Sequence, residues 1–239
     1  MRSRGTPPSS IPPVGMEPLW ALLDLCLPVE CGGCGRGGTP WCEGCAATVR
    51  DDPVAITPRV AVGAPVWSAG MHRGVRGHAV VELKEHHRRD LIDPLGGMLA
   101  EMLRTLARWQ ELPDRDRLVL VPAPTTASAA RRRGGDPVTA IAEAAAARLG
   151  SRVRVVPLLR TRWGVRDSVG LSASARTGNL TGAIRAIGPS TRWRHAGDAD
   201  VAVVLVDDVL TTGATAAESV RVLAGRGVSV DMVSVLGAA

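Results

Sequence analysis

The segment "VAVVLVDDVLTTGAT", residues 201–215, runs six apolar positions into two adjacent carboxylates and then into threonines, a glycine and an alanine. The apolar run predicts a buried strand over 201–206, with Asp207 and Asp208 delivered to its carboxyl end. The loop 209–215 then leads into a helix over "ATAAESVRVLAGRG", which ends at glycine. The first amides of a helix lack intrahelical acceptors and carry the positive end of its dipole. Added to the hydroxyls of Thr211, Thr212 and Thr215, they predict a phosphate cradle, with Gly213 admitting close backbone approach and Val209 and Ala214 completing the loop. Two carboxylates repel a bare phosphate. Their partner is therefore expected at the far end of a phosphorylated molecule: a vicinal diol, a divalent metal, or both. A ribose 5-phosphate fits, with its phosphate in the loop and its 2- and 3-hydroxyls on Asp207 and Asp208.

Competing motifs fit this segment less well. A nucleotide P-loop needs G-K-[ST] before its helix, and the only lysine in the chain is Lys84. A receiver domain places its acidic pair early in the fold and needs a later aspartate and lysine. An acidic pair that merely caps the next helix would not need three threonines and a glycine at these spacings.

Outward from this segment, strand-like and helix-like patterns alternate. "APVWSAG" (64–70) and "HAVVELKE" (78–85) are expected as short strands, the latter placing Lys84 on a first hairpin. A helix is expected from near Asp93 through "DPLGGMLAEMLRTLARW", and a buried strand in "RLVLVPAP" (117–124). A further helix is expected over 137–149, with Asp136 as N-cap and Pro137 in its first turn. "VRVVPLL", "GAIRAI" and "VSVDMVSVLG" complete the strand set. Strands separated by helices, several of them continuous Val and Leu runs, imply an α/β fold with a mainly parallel sheet covered on both faces. Ligands of such sheets sit at the carboxyl ends of the strands.

Near the amino end, "CLPVECGGCGRGGTPWCEGC" contains two C-x-x-C pairs, Cys31 with Cys34 and Cys42 with Cys45, separated by seven residues. Each pair can wrap one edge of a metal, so four thiolates can close a tetrahedral zinc site. With no open coordination position and no adjacent base, such a site is structural. Disulfides are the alternative, disfavoured in a reducing compartment. Cys26 falls outside the spacing and reads as a small buried apolar residue. Before it, "EPLWALLDL" places Leu19, Trp20, Leu22 and Leu23 on one stripe, as a short amphipathic helix would.

The domain plan expected is a disordered tail over 1–18, a short helix plus cysteine knuckle over 19–55, and the main domain over 60–239. The opening "MRSRGTPPSSIPPVG" lacks the apolar stretch of a secretory signal, and patterning begins only after Met16. No run approaches the roughly 20 apolar residues of a membrane span, so a soluble, cytoplasmic protein is expected. A net charge of +6 carried almost wholly by arginine says little about a partner.

Hydrophobic strand, two acids, then T-T-G-x-T resembles the diphosphosugar motif of type I phosphoribosyltransferases. With the cysteine knuckle, the chain from about Leu19 onward resembles the ComF family, the competence-associated phosphoribosyltransferase-like proteins. The resemblance extends to "LDLCLPVECGGCG", "WCEGC", "VELKEH", "LVPAP", "RRRGGDP" and "RDSVGLSASARTGNLTGAI". The chain departs from the family where R-G-aromatic-N-Q is replaced by Arg133 to Pro137, and where Asp167 and Ser168 stand in place of a usual glutamine. Both departures bear on base recognition more than on sugar-phosphate binding.

The resemblance implies binding of 5-phosphoribosyl 1-diphosphate with magnesium and transfer of phosphoribose to a base or amine. Asp207 and Asp208 would then be the catalytic acids. Pro124 and Thr125, in "PAPTT", would cradle the diphosphate. The polar, glycine-broken stretch 160–181 would act as a lid whose Arg166 and Arg176 close over it. The alternative is a non-catalytic accessory of DNA uptake or recombination. Residues 131–176 hold ten arginines against Asp136, Glu143 and Asp167, which suits single-stranded DNA electrostatically. Trp163 is the only aromatic there, so base stacking is poorly provided for.

Overall fold

The computed structural model describes residues 29–125, 135–162, 182–188 and 200–239. The expected tail, the stripe from Leu19 to Leu23, Cys26, and the arginines Arg166 and Arg176 lie outside them.

In chain order the elements are α1 (Glu43–Thr48), β1 (Val54–Ala55), β2 (Val66–Ser68), α2 (Gly74–Glu85), a 3-10 turn (Arg89–Leu91), α3 (Ile92–Arg108), β3 (Arg117–Pro122), α4 (Pro137–Leu149), β4 (Val153–Val155), β5 (Leu159–Thr161), β6 (Ile184–Ala186), β7 (Val201–Leu210), α5 (Ala214–Ala224) and β8 (Met232–Ala238). Six strands form one sheet in the order β1-β2-β8-β7-β3-β4. All neighbours in it run parallel except β1, which pairs antiparallel with β2 at the edge. The fold is thus α/β with a mainly parallel sheet, and its apolar strands are buried on both faces.

The alternation along β7 accounts for the two cores. Val204 and Val206 face a layer built from α2, α3 and α4, where Leu83, Leu95, Leu99 and Ile141 pack. Val203 and Leu205 face the opposite layer, with Ala216 and Leu223 of α5. Successive strand residues point to opposite faces, so a continuous Val and Leu run serves both. Helix α4 starts as its sequence requires: Asp136 accepts from the Val138 amide at 3.2 Å, with Pro137 at the first position.

Three expectations are corrected. "HAVVELKE" belongs to helix α2 and not to a strand, so there is no hairpin carrying Lys84. Its buried residues Arg76, Ala79, Val80 and Leu83 follow helical spacing, and a short Ala-Val-Val run cannot by itself distinguish the two periods. "VRVVPLL" is broken into β4 and β5 at Pro157, whose nitrogen cannot donate to a ladder. Strand β5 instead pairs antiparallel with β6, the "GAIRAI" strand, in a separate two-stranded sheet. Finally, β7 does not stop at Val206 but stays paired with β8 through Leu210, so the acidic pair lies within the strand and not beyond its end. Among the described residues no helix is long and apolar enough to cross a membrane.

Candidate functional site

Connections leave β3 and β7 in opposite directions across the sheet. From β3 the chain passes through α4 to β4 on one side; from β7 it passes through α5 to β8 on the other. Between these two neighbours lies the topological switch point, where crossovers diverge and open a crevice beyond the strand ends. Pro122 is in register with Val206, and the Ala123 amide donates to the Val206 carbonyl at 2.7 Å. Pro124 and Thr125 therefore leave β3 beside Asp207 and Asp208. The structure brings together these two predicted groups from distant parts of the chain.

The acidic pair disturbs its strand. Asp207 Oδ1 accepts from the Asp208 amide at 2.9 Å, and Asp208 Oδ1 accepts from the Val209 amide at 2.7 Å. Beyond the pair, Val209 packs with the α2–α4 layer and Leu210 with the α5 layer, the reverse of the alternation before it. Asp208 is 8% exposed, and its Oδ2 lies 2.6 Å from Lys84 Nζ on α2. Burial, then the Asp208 charge, pushes the partly buried Asp207 carboxyl up to about 8, with Lys84 opposing.

The following loop is tight. Gly213 has φ +87°, and a Cβ there would stand 2.7 Å from Pro58 Cβ and 3.2 Å from the Val60 carbonyl. The Val60 amide donates to the Thr212 carbonyl at 2.9 Å, so segment 58–62 backs the loop. Thr212 is buried and its Oγ1 accepts from the Ala214 amide at 3.3 Å, bracing the turn from within. Thr211 is exposed and Thr215 half-buried.

Thr125 has a second task. Its Oγ1 bonds Asp136 Oδ1 at 2.5 Å, and its carbonyl accepts from Thr161 Oγ1 at 3.0 Å. This ties the exit of β3 to the start of α4 and to the β5–β6 pair. On the other flank, the Gly182 amide donates to buried Glu218 of α5 at 2.8 Å. Thr161, at the start of the expected lid, and Gly182, just after it, are thereby tied to either flank of the crevice; the remainder of that lid, 163–181, lies outside the described residues.

Sequence reasoning missed His72. It follows β2 at the same sheet edge, with its amide bonded to the Ala238 carbonyl at 2.7 Å and its Nδ1 buried without a hydrogen-bond partner among the described residues. Burial and then the Lys84 charge hold it below the ordinary imidazole value, against Asp208. The signal was its position after a parallel strand, where ligand-facing turns begin.

No family model matches the chain, and no curated protein matches it.

The second candidate site is the cysteine knuckle. The sulfurs of Cys31, Cys34, Cys42 and Cys45 all lie within 4.8 Å of one another, with Cys31–Cys45 at 3.6 Å and Cys34–Cys42 at 3.7 Å. Zinc bonded to four sulfurs at about 2.3 Å would space them about 3.8 Å apart, whereas disulfide sulfurs sit about 2 Å apart. The donor set fits zinc. Burial opposes ionisation of Cys31, yet the amides of Cys42, Gly33 and Cys34 bring it down to about 6. Burial and the neighbouring sulfurs push Cys45 up, an opposition to ionisation that a bound cation would offset.

Proposed function

We propose that the protein is a phosphoribosyltransferase of the ComF type, with a sheet of the type I phosphoribosyltransferase kind, binding 5-phosphoribosyl 1-diphosphate. The observation that carries this reading is the meeting, at one switch point, of an acidic pair, a glycine-hinged threonine loop at a helix start, and the Pro124–Thr125 exit of the neighbouring strand.

Each part has a distinct task. Asp207 and Asp208 accept hydrogen bonds from the two ribose hydroxyls and favour positive charge at the anomeric carbon as its bond to diphosphate breaks. The loop from Val209 to Thr215 holds the 5-phosphate through amides and the hydroxyls of Thr211 and Thr215. The backbone around Pro124 and Thr125 receives the diphosphate; Arg166 and Arg176, expected from the sequence to contribute charge to it, lie outside the described residues. Magnesium, if bound with the diphosphate, would neutralise part of its charge without needing a dedicated protein cage. A nitrogen of a base or amine attacks the opposite face; the electron pair of the breaking bond leaves with diphosphate. Zinc in the knuckle is structural. We place the protein in the cytoplasm, where thiols stay reduced.

Calorimetric titration with the sugar diphosphate and magnesium, followed by a screen of bases for diphosphate release, tests the reading. Binding that Thr212→Val weakens, with release abolished by Asp208→Asn, is expected. Binding without release for any base would favour the accessory role instead. No binding would overturn both.

A further inference from the structure

Lys84, the chain's only lysine, sits in the last turn of α2 with its ammonium on Asp208. The cysteine module touches α2 at its first turn and the chain just past its last turn. At the first turn, Val75 packs against Cys31, Cys42 and Cys45, and a Cβ on Gly33 would stand 2.8 Å from Val75 Cγ1. His78 Nδ1 donates to the Gly32 carbonyl at 2.9 Å. Past the last turn, Arg88 donates to the Glu30 carbonyl at 2.7 Å, and Leu91 fills the space where a Gly32 Cβ would stand 2.5 Å from its methyls. Ala79, Val80 and Leu83 press the helix on the sheet, but apolar contacts are non-directional. Rotation and slide along the axis are limited by directional ties, those to residues 30–33 and the Arg76–Asp51 pair at 3.3 Å. His78 and Lys84 are about 9 Å apart along the helix axis, close enough for a rigid helix to transmit that setting.

We propose that Lys84 is a positioning residue of the Asp207–Asp208 site, and that the cysteine module, loaded with metal, holds it there through α2. The physical effect is on charge. The Asp208 carboxylate repels a polyanionic ligand, and the ammonium 2.6 Å from its Oδ2 offsets that charge. The Lys84 ammonium thus offsets the Asp208 charge, while burial holds the Asp207 carboxyl above the ordinary carboxylate range. Release of Lys84 would restore the repulsion at the point where hydroxyls must dock. The ligand half of this inference rests on the phosphoribosyl reading; the clamp does not.

A single lysine makes the test specific. Acylation of Lys84 in the full chain by an N-hydroxysuccinimide ester, followed by peptide mass spectrometry, reads how firmly the ammonium is held. We expect slow acylation in the zinc-loaded protein and a rate up to about fivefold higher after chelation under reducing conditions, the upper end of what such an ion pair imposes. Amide exchange in β3, β7 and β8 should stay unchanged. With zinc present, Asp208→Asn should reach the chelated rate, and so should His78→Ala combined with Arg88→Ala. An acylation rate indifferent to zinc overturns the clamp, as does loss of amide protection across the whole sheet on chelation. For the positioning role, Lys84→Met should weaken the sugar diphosphate at least fivefold and Lys84→Arg restore it; equal affinities overturn it. If the unaltered chain binds no sugar diphosphate, the ligand reading fails alone, and the acylation rates still decide the clamp.

Discussion

Pro58 stands 2.7 Å from the place a Cβ on Gly213 would occupy, so the loop after the acidic pair is closed from behind by a segment far earlier in the chain. Glycine is required there twice over, because φ is +87° and because there is no room. Gly213→Ala is expected to destabilise the fold by about 1–3 kcal/mol, measured by urea unfolding, and to weaken phosphate binding. An unchanged midpoint would mean that 58–62 moves aside freely.

The carboxyl of Asp207 sets a pH dependence whose sign is fixed. Its value in the fold, about 8, lies above that of an unfolded aspartate. Between the two values the folded state holds a proton the unfolded state has lost. Stability from this group is therefore complete below the unfolded value and falls as pH rises through the folded one. Asp207→Asn should match the parent protein below pH 4 and exceed it at pH 9, as read from thermal midpoints across pH. Parallel curves would contradict the shift.

Two adjacent glycines of α3 should respond in opposite senses. A Cβ on Gly96 would lie 2.5 Å from Ala144 Cβ and 3.1 Å from the α4 backbone, whereas one on Gly97 meets only Arg148 Nε at 3.5 Å. In a helix, Gly→Ala ordinarily stabilises by about 0.5–1 kcal/mol. Gly97→Ala should show this gain. Gly96→Ala should lose about 1–3 kcal/mol, because the two helices must move apart. Denaturant melts of the two variants check it.

The knuckle predicts a stoichiometry. The protein should bind one zinc or cobalt per chain, with the tetrahedral cobalt–thiolate spectrum of a four-sulfur site. Cys45→Ser removes a buried ligand and should lower metal content well below one equivalent by elemental analysis. Chelation should lower the thermal midpoint, since metal binding to the folded state is linked to folding.

Much of the fold was legible from short stretches. The run from Val201 to Val206 is a strand because six apolar residues in a row suit a surface buried on both faces. Asp136 and Pro137 start a helix by chemistry confined to a few neighbouring residues. The four cysteines declare their cluster by spacing alone. The same local reasoning misjudged α2, where a short Ala-Val-Val run fits either period and only the sheet and α3 beside it make the helical face the buried one. At Pro157 the break was local, but the transfer of β5 to another sheet was not.

The sequence by itself determined which groups are available to the two candidate sites: two acids, a glycine-bearing threonine loop and a proline–threonine strand exit for one, and four thiols for the other. Their local geometry follows from hydrogen bonding and backbone freedom within a few residues. Only the tertiary structure decided that Pro124 and Thr125 lie beside the acids, that Thr212 turns inward while Thr211 stays outside, and that Lys84 lands on Asp208. Those relations depend on strand order and on how a helix seats against its neighbours. Both are set by packing of surfaces from distant parts of the chain, which no single stretch encodes.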